Sequence, residues 1–521
     1  MALVAVLAAL ALLTAGPRPL PAAAAEELRL TAVSARPELV TAGDVLVRAS
    51  VPADQPLDRV RFALNGEDIS AAFRPDAAGH TLTGLVTGLR SGTNRLVATV
   101  GRLRSQLVLR NHPATGPVIS GPHETPFLCT TDRFKLVDGD TLGAPLDEHC
   151  SIATRVDYAY RSTDGRTLPL RDPTVRPDDL AWTTTSTGAE VPFLIRIETG
   201  TLNRAIYQIS MLHDPATEAP SAFHRSPGWN DRLIYTFGGG CRGGWYTQGT
   251  GTGGVLDPVM LGRGYAVASA SLNVFGNNCN DLLAAETMMM VKERFVEGYG
   301  DPLFTLGWGS SGGSYQSHQI ADNYPGLLDG VVVGESFPDV TSATNFTLFD
   351  SRLLHRYFTE VAPDAFTQEQ QRRIAGFLSW GSIANLSDGA KRLDPVAEFP
   401  DGLPAELRYH PETNPTGARA DVYDHTVNVY GRHDDTGFAR RPLDNVGVQY
   451  GLAALNDGTI TVAQFLDLNE RIGGLDLDAR PTPERTAADP DARAAAYRTG
   501  RILSGGAGLA GTPIIDYRAY S

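Results

Sequence analysis

Between residues 28 and 110 apolar and polar positions alternate in short runs, at 28–32, 45–50, 59–64, 82–86, 95–100 and 106–109. Turn pairs such as Asn65-Gly66 and Ser91-Gly92 separate them. A period of two, broken by turns at this spacing, predicts a small β-sandwich over residues 26–112. Residues 113–189, opening with Pro113 and a Gly/Pro-rich stretch at 116–122, read as linker and irregular chain. From about residue 190 the pattern changes. Runs 191–197 and 205–212 read as a hairpin around Gly200. Four short, mostly apolar runs follow, at 233–237, 265–271, 303–308 and 331–333, of the kind buried on both faces of a parallel sheet. Helical stretches at 281–296 and 314–323 alternate with them, which predicts an α/β layered core over 190–344. Residues 345–500 are polar, Pro-rich and partly helical, and read as an insertion that caps this core. The run GTPIIDYRAY, within 501–521, reads as a returning core strand.

The N-terminus and the cysteines place the chain in a compartment. Residues 1–16 form the only long apolar stretch, and Ala22 to Ala25 precede Glu26-Glu27. An apolar run ending in an A-x-A site reads as a secretory signal peptide cut near Ala25. The alternative is an uncleaved anchor, for which 16 residues fall short of the ~20 of a membrane span. An exported chain with an even cysteine count predicts disulfides, and the shortest loops come from pairing Cys129 with Cys150 and Cys241 with Cys279. With 45 Lys+Arg against 59 Asp+Glu the net charge is −14, and no basic run exists. Nucleic acid and anionic membranes both demand a basic face, so neither is an expected partner.

The sharpest chemical signal is Gly309-Ser310-Ser311-Gly312-Gly313. It matches G-x-S-x-G, follows the apolar run LFTLGW and opens the helical stretch SYQSHQIADNY. That strand–turn–helix setting makes Ser311 a candidate nucleophile on a sharp turn. A second glycine run, Phe237-Gly238-Gly239-Gly240, closes the strand LIYTF. Such a loop supplies an oxyanion N–H, so Gly239 and Gly240 with Gly312 are the candidate oxyanion donors. Phosphate cradling is disfavoured, because no G-K-[ST] follows and no G-x-G-x-x-G opens a helix. Histidines occur singly, without H-E-x-x-H or a Cys/His cluster, which argues against a zinc centre. The acidic run Asp467, Asp476, Asp478 and Glu484 is a candidate for calcium, against the simpler reading of a solvated surface. No other cofactor is expected.

The segments NDRLIYTFGGG and VKERFVEGYGDPLFTLGWGSSGGSYQSHQIADNYPGLLDGVVVGESFPD resemble the tannase and feruloyl esterase group of α/β-hydrolases. Tyr324-Pro325 and Asp329-Gly330-Val331 stand at the spacing that group shows after its serine. Ser310 departs from it, at a position where the group often carries a disulfide-forming Cys. The N-terminal segment is similar to the immunoglobulin-like modules of secreted bacterial enzymes, read as spacer or attachment module. Together these imply an α/β-hydrolase-type, mainly parallel sheet with a cap insertion, preceded by a small β-sandwich. The activity implied is a secreted serine hydrolase cleaving a small-molecule or oligomeric carboxylic ester through an acyl-enzyme. The alternative is a catalytically silent secreted binding or attachment protein, or an inactive fragment of a hydrolase. The triad order is Ser, acid, His, with the acid after the seventh strand and the His after the eighth. GTPIIDYRAY reads as the seventh strand, so the acid is Asp516 or, after the sixth strand, Asp339, and the chain is expected to stop short of its catalytic His. The histidines after Ser311 are His318 on the elbow helix and His355, His410, His425 and His433 in the insertion.

Overall fold

A computed structural model describes residues 27–241 and 246–518. The expected signal peptide lies outside the described residues. Two antiparallel-rich sheets open the chain. One orders Arg29–Ala32, Val45–Ser50, Thr81–Val86 and Phe73–Asp76; the other orders Val40–Thr41, Leu103–His112, Gly92–Val100, Arg61–Leu64 and Glu67–Asp68. Val47, Phe62, Leu96 and Leu109 fill the space between them. All six alternating runs lie on strands. The strands that alternation did not mark are short, and Glu67–Asp68 has no buried residue to mark it.

A nine-stranded sheet carries the rest. Its strands are β1 (Arg155–Arg161), β2 (Thr167–Pro169), β3 (Leu194–Leu202), β4 (Ala205–Leu212), β5 (Arg232–Phe237), β6 (Ala266–Ala270), β7 (Phe304–Ser310), β8 (Gly330–Gly334) and β9 (Ile514–Tyr517). The order is β2-β1-β3-β4-β6-β5-β7-β8-β9. From β6 to β9 all pairs are parallel, as expected for apolar runs buried on both faces. From β2 to β6 all are antiparallel, so the sheet is mixed rather than mainly parallel. Two corrections explain this. Residues 113–189 are not merely linker: β1 and β2 extend the sheet, and their half-buried alternation is too weak to stand out in sequence. The hairpin turns at Asn203-Arg204, both at positive φ, and not at Gly200, which lies within β3 opposite Tyr207.

Helix α1 (Asp281–Tyr299) explains why the sandwich is no loose spacer. It is buried nearly all round, between the sheet and the sandwich strands, and its acidic residues serve as anchors. Glu293 Oε1 accepts the Thr41 N–H at 2.9 Å, and the Thr41 hydroxyl bonds the other oxygen. The Ser34 hydroxyl donates to Glu297 at 2.9 Å. Burial pushes the Glu297 carboxyl up to about 8 and the Glu293 carboxyl well above its usual range, Glu297 adding repulsion to Glu293. Glu286, one oxygen accepting the N–H groups of Val118, Ile119 and Ser120, pins the 116–122 stretch to the same helix.

The chain between β8 and β9 forms a largely helical layer with its own core around Phe349, Leu353, Tyr357 and Leu393. That core also takes in Phe275 and Tyr315, so the insertion sits on the end of the sheet where β5, β7 and β8 finish. Among the described residues no helix is long and apolar enough to cross a membrane.

Candidate active site

The parallel register brings three strand ends together. Phe237 of β5 stands beside Gly309 of β7, and Ser310 beside Gly334 of β8. At that edge β7 turns into helix α2 (Gly312–Asn323) through one residue, Ser311, with φ 56° and ψ −116°. A positive φ is strained for any residue with a Cβ, and surrounding contacts hold it. The Ser311 N–H donates to the Gly334 carbonyl at 2.9 Å, and its own carbonyl accepts the Ser314 hydroxyl at 2.6 Å. The flanking glycines are steric requirements. A Cβ on Gly309 would lie 2.7 Å from the Gly313 carbonyl carbon, and one on Gly312 would lie 2.0 Å from the Gly240 carbonyl oxygen. Ser311 is exposed, and its hydroxyl makes no hydrogen bond among the described residues.

The glycine loop is held from its far side. Gly238 N–H donates to the Asn273 carbonyl at 2.9 Å, and Gly276 N–H to the Gly239 carbonyl at 2.8 Å. Gln316 of α2 donates to the Gly238 carbonyl at 3.1 Å. The Cys241–Cys279 disulfide, with Cα atoms 4.9 Å apart, closes the same tie, and Cys129–Cys150 forms as well. These bonds leave the N–H groups of Gly239, Gly240 and Gly312 without an acceptor among the described residues. Gly312 is the first residue of α2, where a helix has unsatisfied N–H groups and a partial positive charge. The three candidate oxyanion residues therefore surround the position of Ser311.

A cavity of about 250 Å³ opens there. Its core side is Ser311, Gly240, Cys241 and Tyr315; its insertion side includes Phe337, Leu348, Leu386, Arg392 and Glu398. Sequence reasoning missed the second set, which is distant in sequence and has no local signature. Tyr315 was findable, since four residues along α2 place it on the same helix face as Ser311.

The candidate acids and bases do not gather at Ser311. Asp339 is buried and caps the turn Val340–Ala343, accepting the Ser342 N–H at 2.6 Å and the Leu503 N–H at 3.3 Å. Its burial raises its pKa, against those hydrogen bonds. Asp516 lies within β9, where it accepts the Ser336 hydroxyl at 2.7 Å and the Arg518 guanidinium, whose hydrogen bond lowers its pKa. Neither lines the cavity. His318 holds the Phe337 carbonyl with Nδ1 at 2.9 Å, as befits a packing residue. His425 is wholly buried against the Tyr246 ring, and burial lowers its pKa to about 3. His410 accepts the N–H of Glu412 and Thr413, and His433 stands 3.9 Å from Asp489. Among the described residues no histidine lines the cavity.

The four acidic residues considered for calcium have separate partners where hydrogen bonds define them. Asp467 takes Tyr357 and Arg471, Asp478 takes Tyr409, and Asp476 closes its own turn on the Arg480 N–H. Among the described residues no group of three or more His, Cys, Asp or Glu side chains is arranged to hold a metal.

Among solved structures, feruloyl esterase B from Aspergillus oryzae is similar at 16% identity, covering 70% of each chain with a TM-score of 0.31. Tannin acyl hydrolase from Aspergillus niger is similar at 13% identity, covering 71% of this chain and 70% of its own, with a TM-score of 0.27. At those values neither assigns a residue or a substrate here. No curated protein matches the chain by sequence. A family model, described as a tannase-like family of unknown function, matches residues 30–521. That match spans both the sandwich and the Ser311 elbow, and the chain belongs to this tannase-like family.

Proposed function

We propose that this protein hydrolyses carboxylic esters, with Ser311 as nucleophile and an acyl-enzyme as intermediate. The observation that carries the reading is the Ser311 elbow, with its hydroxyl at the mouth of a cavity and three N–H groups beside it, none of them with a hydrogen-bond partner among the described residues. Attack by Oγ on an ester carbonyl places negative charge on the carbonyl oxygen. The Gly239, Gly240 and Gly312 N–H groups and the α2 N-terminus are the donors available to it. The ester C–O bond breaks, the leaving oxygen takes up the proton that Ser311 gave up and departs as the alcohol, and water then hydrolyses the acyl-serine to the free acid and restores the hydroxyl. No residue is assigned to the general base, and Asp516 and Asp339 have other hydrogen-bonding roles. Two disulfides support export to an oxidising compartment.

The test is labelling with a fluorophosphonate, followed by peptide mapping, alongside hydrolysis of an ester panel varied in acyl length and aromaticity. Labelling at Ser311 that is lost in Ser311→Ala supports the hydrolase. A folded full-length protein that is neither labelled nor active on any ester sinks it and leaves the binding-protein alternative.

A further inference from the structure

One face of the sandwich carries positive charge that the rest of the chain lacks. Residues 27–112 hold 11 Arg against 8 Asp+Glu, whereas residues 113–521 hold 33 Lys+Arg against 50 Asp+Glu. After Asp76 and up to His112 the chain has Arg90, Arg95, Arg102, Arg104 and Arg110 and no further acid. These arginines form no run in the sequence. Three of them alternate with inward-facing residues along the paired strands Gly92–Val100 and Leu103–His112, so the charge gathers only in the sheet. Arg110 stands beside Thr93, Arg95 beside Val108 and Arg104 beside Thr99, all on the side away from the buried Leu96 and Leu109. Arg61 flanks Thr99 from the next strand, and Arg102 lies in the turn that joins the pair. From the row of Arg110 to that of Arg104 is six positions of strand, or about 20 Å.

All five of these side chains are exposed. No two of them stand directly opposite each other, which limits their mutual repulsion. Among the described residues the one ion pair of the sandwich is Arg48 with Asp301, on its core side, so none of the five has a paired carboxylate. The acids of this sheet, Glu67 and Asp68, lie on the edge strand beyond Arg61. The face is therefore an extended, flat array of open guanidinium forks, and its complement is an extended anion.

The side chains between the arginines narrow the kind of anion. They are Thr93, Val97, Thr99, Gln106 and Val108, with no aromatic ring among them. Membrane surfaces are held by basic groups together with large apolar side chains that enter the interface. Single-stranded nucleic acid is held on aromatic platforms. A duplex is read by an element that enters a groove, and this strand pair is flanked by further strands on both sides. Carboxylates match guanidinium forks through paired hydrogen bonds, and threonine hydroxyls and a glutamine amide suit sugar hydroxyls. We infer that this face attaches the protein to a carboxylated polysaccharide, a chain of uronic acid units. The inference is independent of the chemistry at Ser311.

The test is binding of the full-length protein to immobilised polygalacturonate, which contains no ester, at about 0.15 M salt, where distant charges are screened. Dextran of equal length is the neutral control. The protein should bind polygalacturonate and not dextran, and Arg95→Gln/Arg104→Gln should weaken binding by about tenfold or more and flatten its salt dependence. Arg493→Gln/Arg498→Gln removes the same charge from an exposed site elsewhere and should leave binding unchanged. Thermal melting checks that each variant folds, and Arg61→Gln/Arg110→Gln, at the two ends of the face, replaces the first variant if that one does not. Absence of binding to polygalacturonate overturns the inference, as does an equal loss in the face and control variants. Tighter binding to duplex DNA, to poly(U) or to phosphatidylserine vesicles overturns it as well. Self-association that Arg95→Gln/Arg104→Gln abolishes would give the face to the acidic body of a second copy and overturn it too.

Discussion

Removing the Cys241–Cys279 cross-link should destabilise the centre of the sheet and loosen the glycine loop. The two cysteines are 38 residues apart, and the loop they close contains the whole of β6 and its connections on both sides. The chain-entropy model assigns closure of such a loop about 3.9 kcal/mol at 25 °C, a ceiling that native strain or residual structure reduces. The unit that unfolds with β6 runs from β1 to β9, roughly 360 residues, so an unfolding entropy of ~2.1 cal/mol/K per residue converts that ceiling to a Tm loss of about 5 °C. Scanning calorimetry of wild type and of the Cys241→Ala/Cys279→Ala variant, each with and without reductant, makes the measurement. Reductant opens Cys129–Cys150 as well, so the loss that the variant shows on reduction measures that bond, and the excess loss in wild type isolates the Cys241–Cys279 cross-link from the small cavities that alanine leaves. Because Cys241 follows Gly240 directly, the same variant should lose esterase rate below its melting range. A Tm within 1 °C of wild type would refute the reasoning, since it would mean the ladder of hydrogen bonds from Asn273 to Gly276 holds the loop unaided.

Further outcomes follow from individual contacts. Gly312→Ala sets a Cβ against the Gly240 carbonyl and must part the elbow from the glycine loop; overpacking of this kind costs ~1–3 kcal/mol, and ester hydrolysis should fall by ~10²-fold or more as the oxyanion donors separate. An active, equally stable Gly312→Ala protein would show that the two backbones are not in functional contact. The Asp350 carboxyl accepts the Tyr450 hydroxyl at 2.6 Å, and burial raises its pKa to about 6. The folded state then holds more protons than the unfolded state between about pH 4 and 6, so this residue's contribution falls as pH rises through that window, by up to ~3 kcal/mol. Asp350→Asn should therefore raise Tm at pH 7.5 more than at pH 4, and equal shifts at the two pH values would contradict the sign. Thr41→Val leaves the buried Glu293 carboxyl without its hydroxyl partner and should cost ~1–3 kcal/mol in thermal unfolding. Deleting residues 27–112 exposes Glu293, Glu297 and the apolar face that packs on Leu46; a shortened protein with an unchanged Tm would restore the spacer reading.

The sequence by itself determined whatever rests on local geometry. Alternation with turn pairs marked the long sandwich strands, because a half-buried strand must repeat every two residues. The apolar runs 233–237, 265–271, 303–308 and 331–333 marked the parallel strands, because both their faces are covered. Ser311 and its glycines were legible because the turn excludes side chains on steric grounds that apply to any such turn. Tertiary structure alone decided the rest. β1 and β2 join the sheet through pairing with β3, and their alternation is half-buried and faint. The acidic residues of α1 look like a solvated face in sequence, and become interior anchors only because the sandwich packs there. Arg392 lies 81 positions from Ser311 in a segment without a motif. It meets the nucleophile's cavity because the insertion leaves after β8, returns at β9 and must fold back over the strand ends between them, a long-range contact that no local pattern encodes.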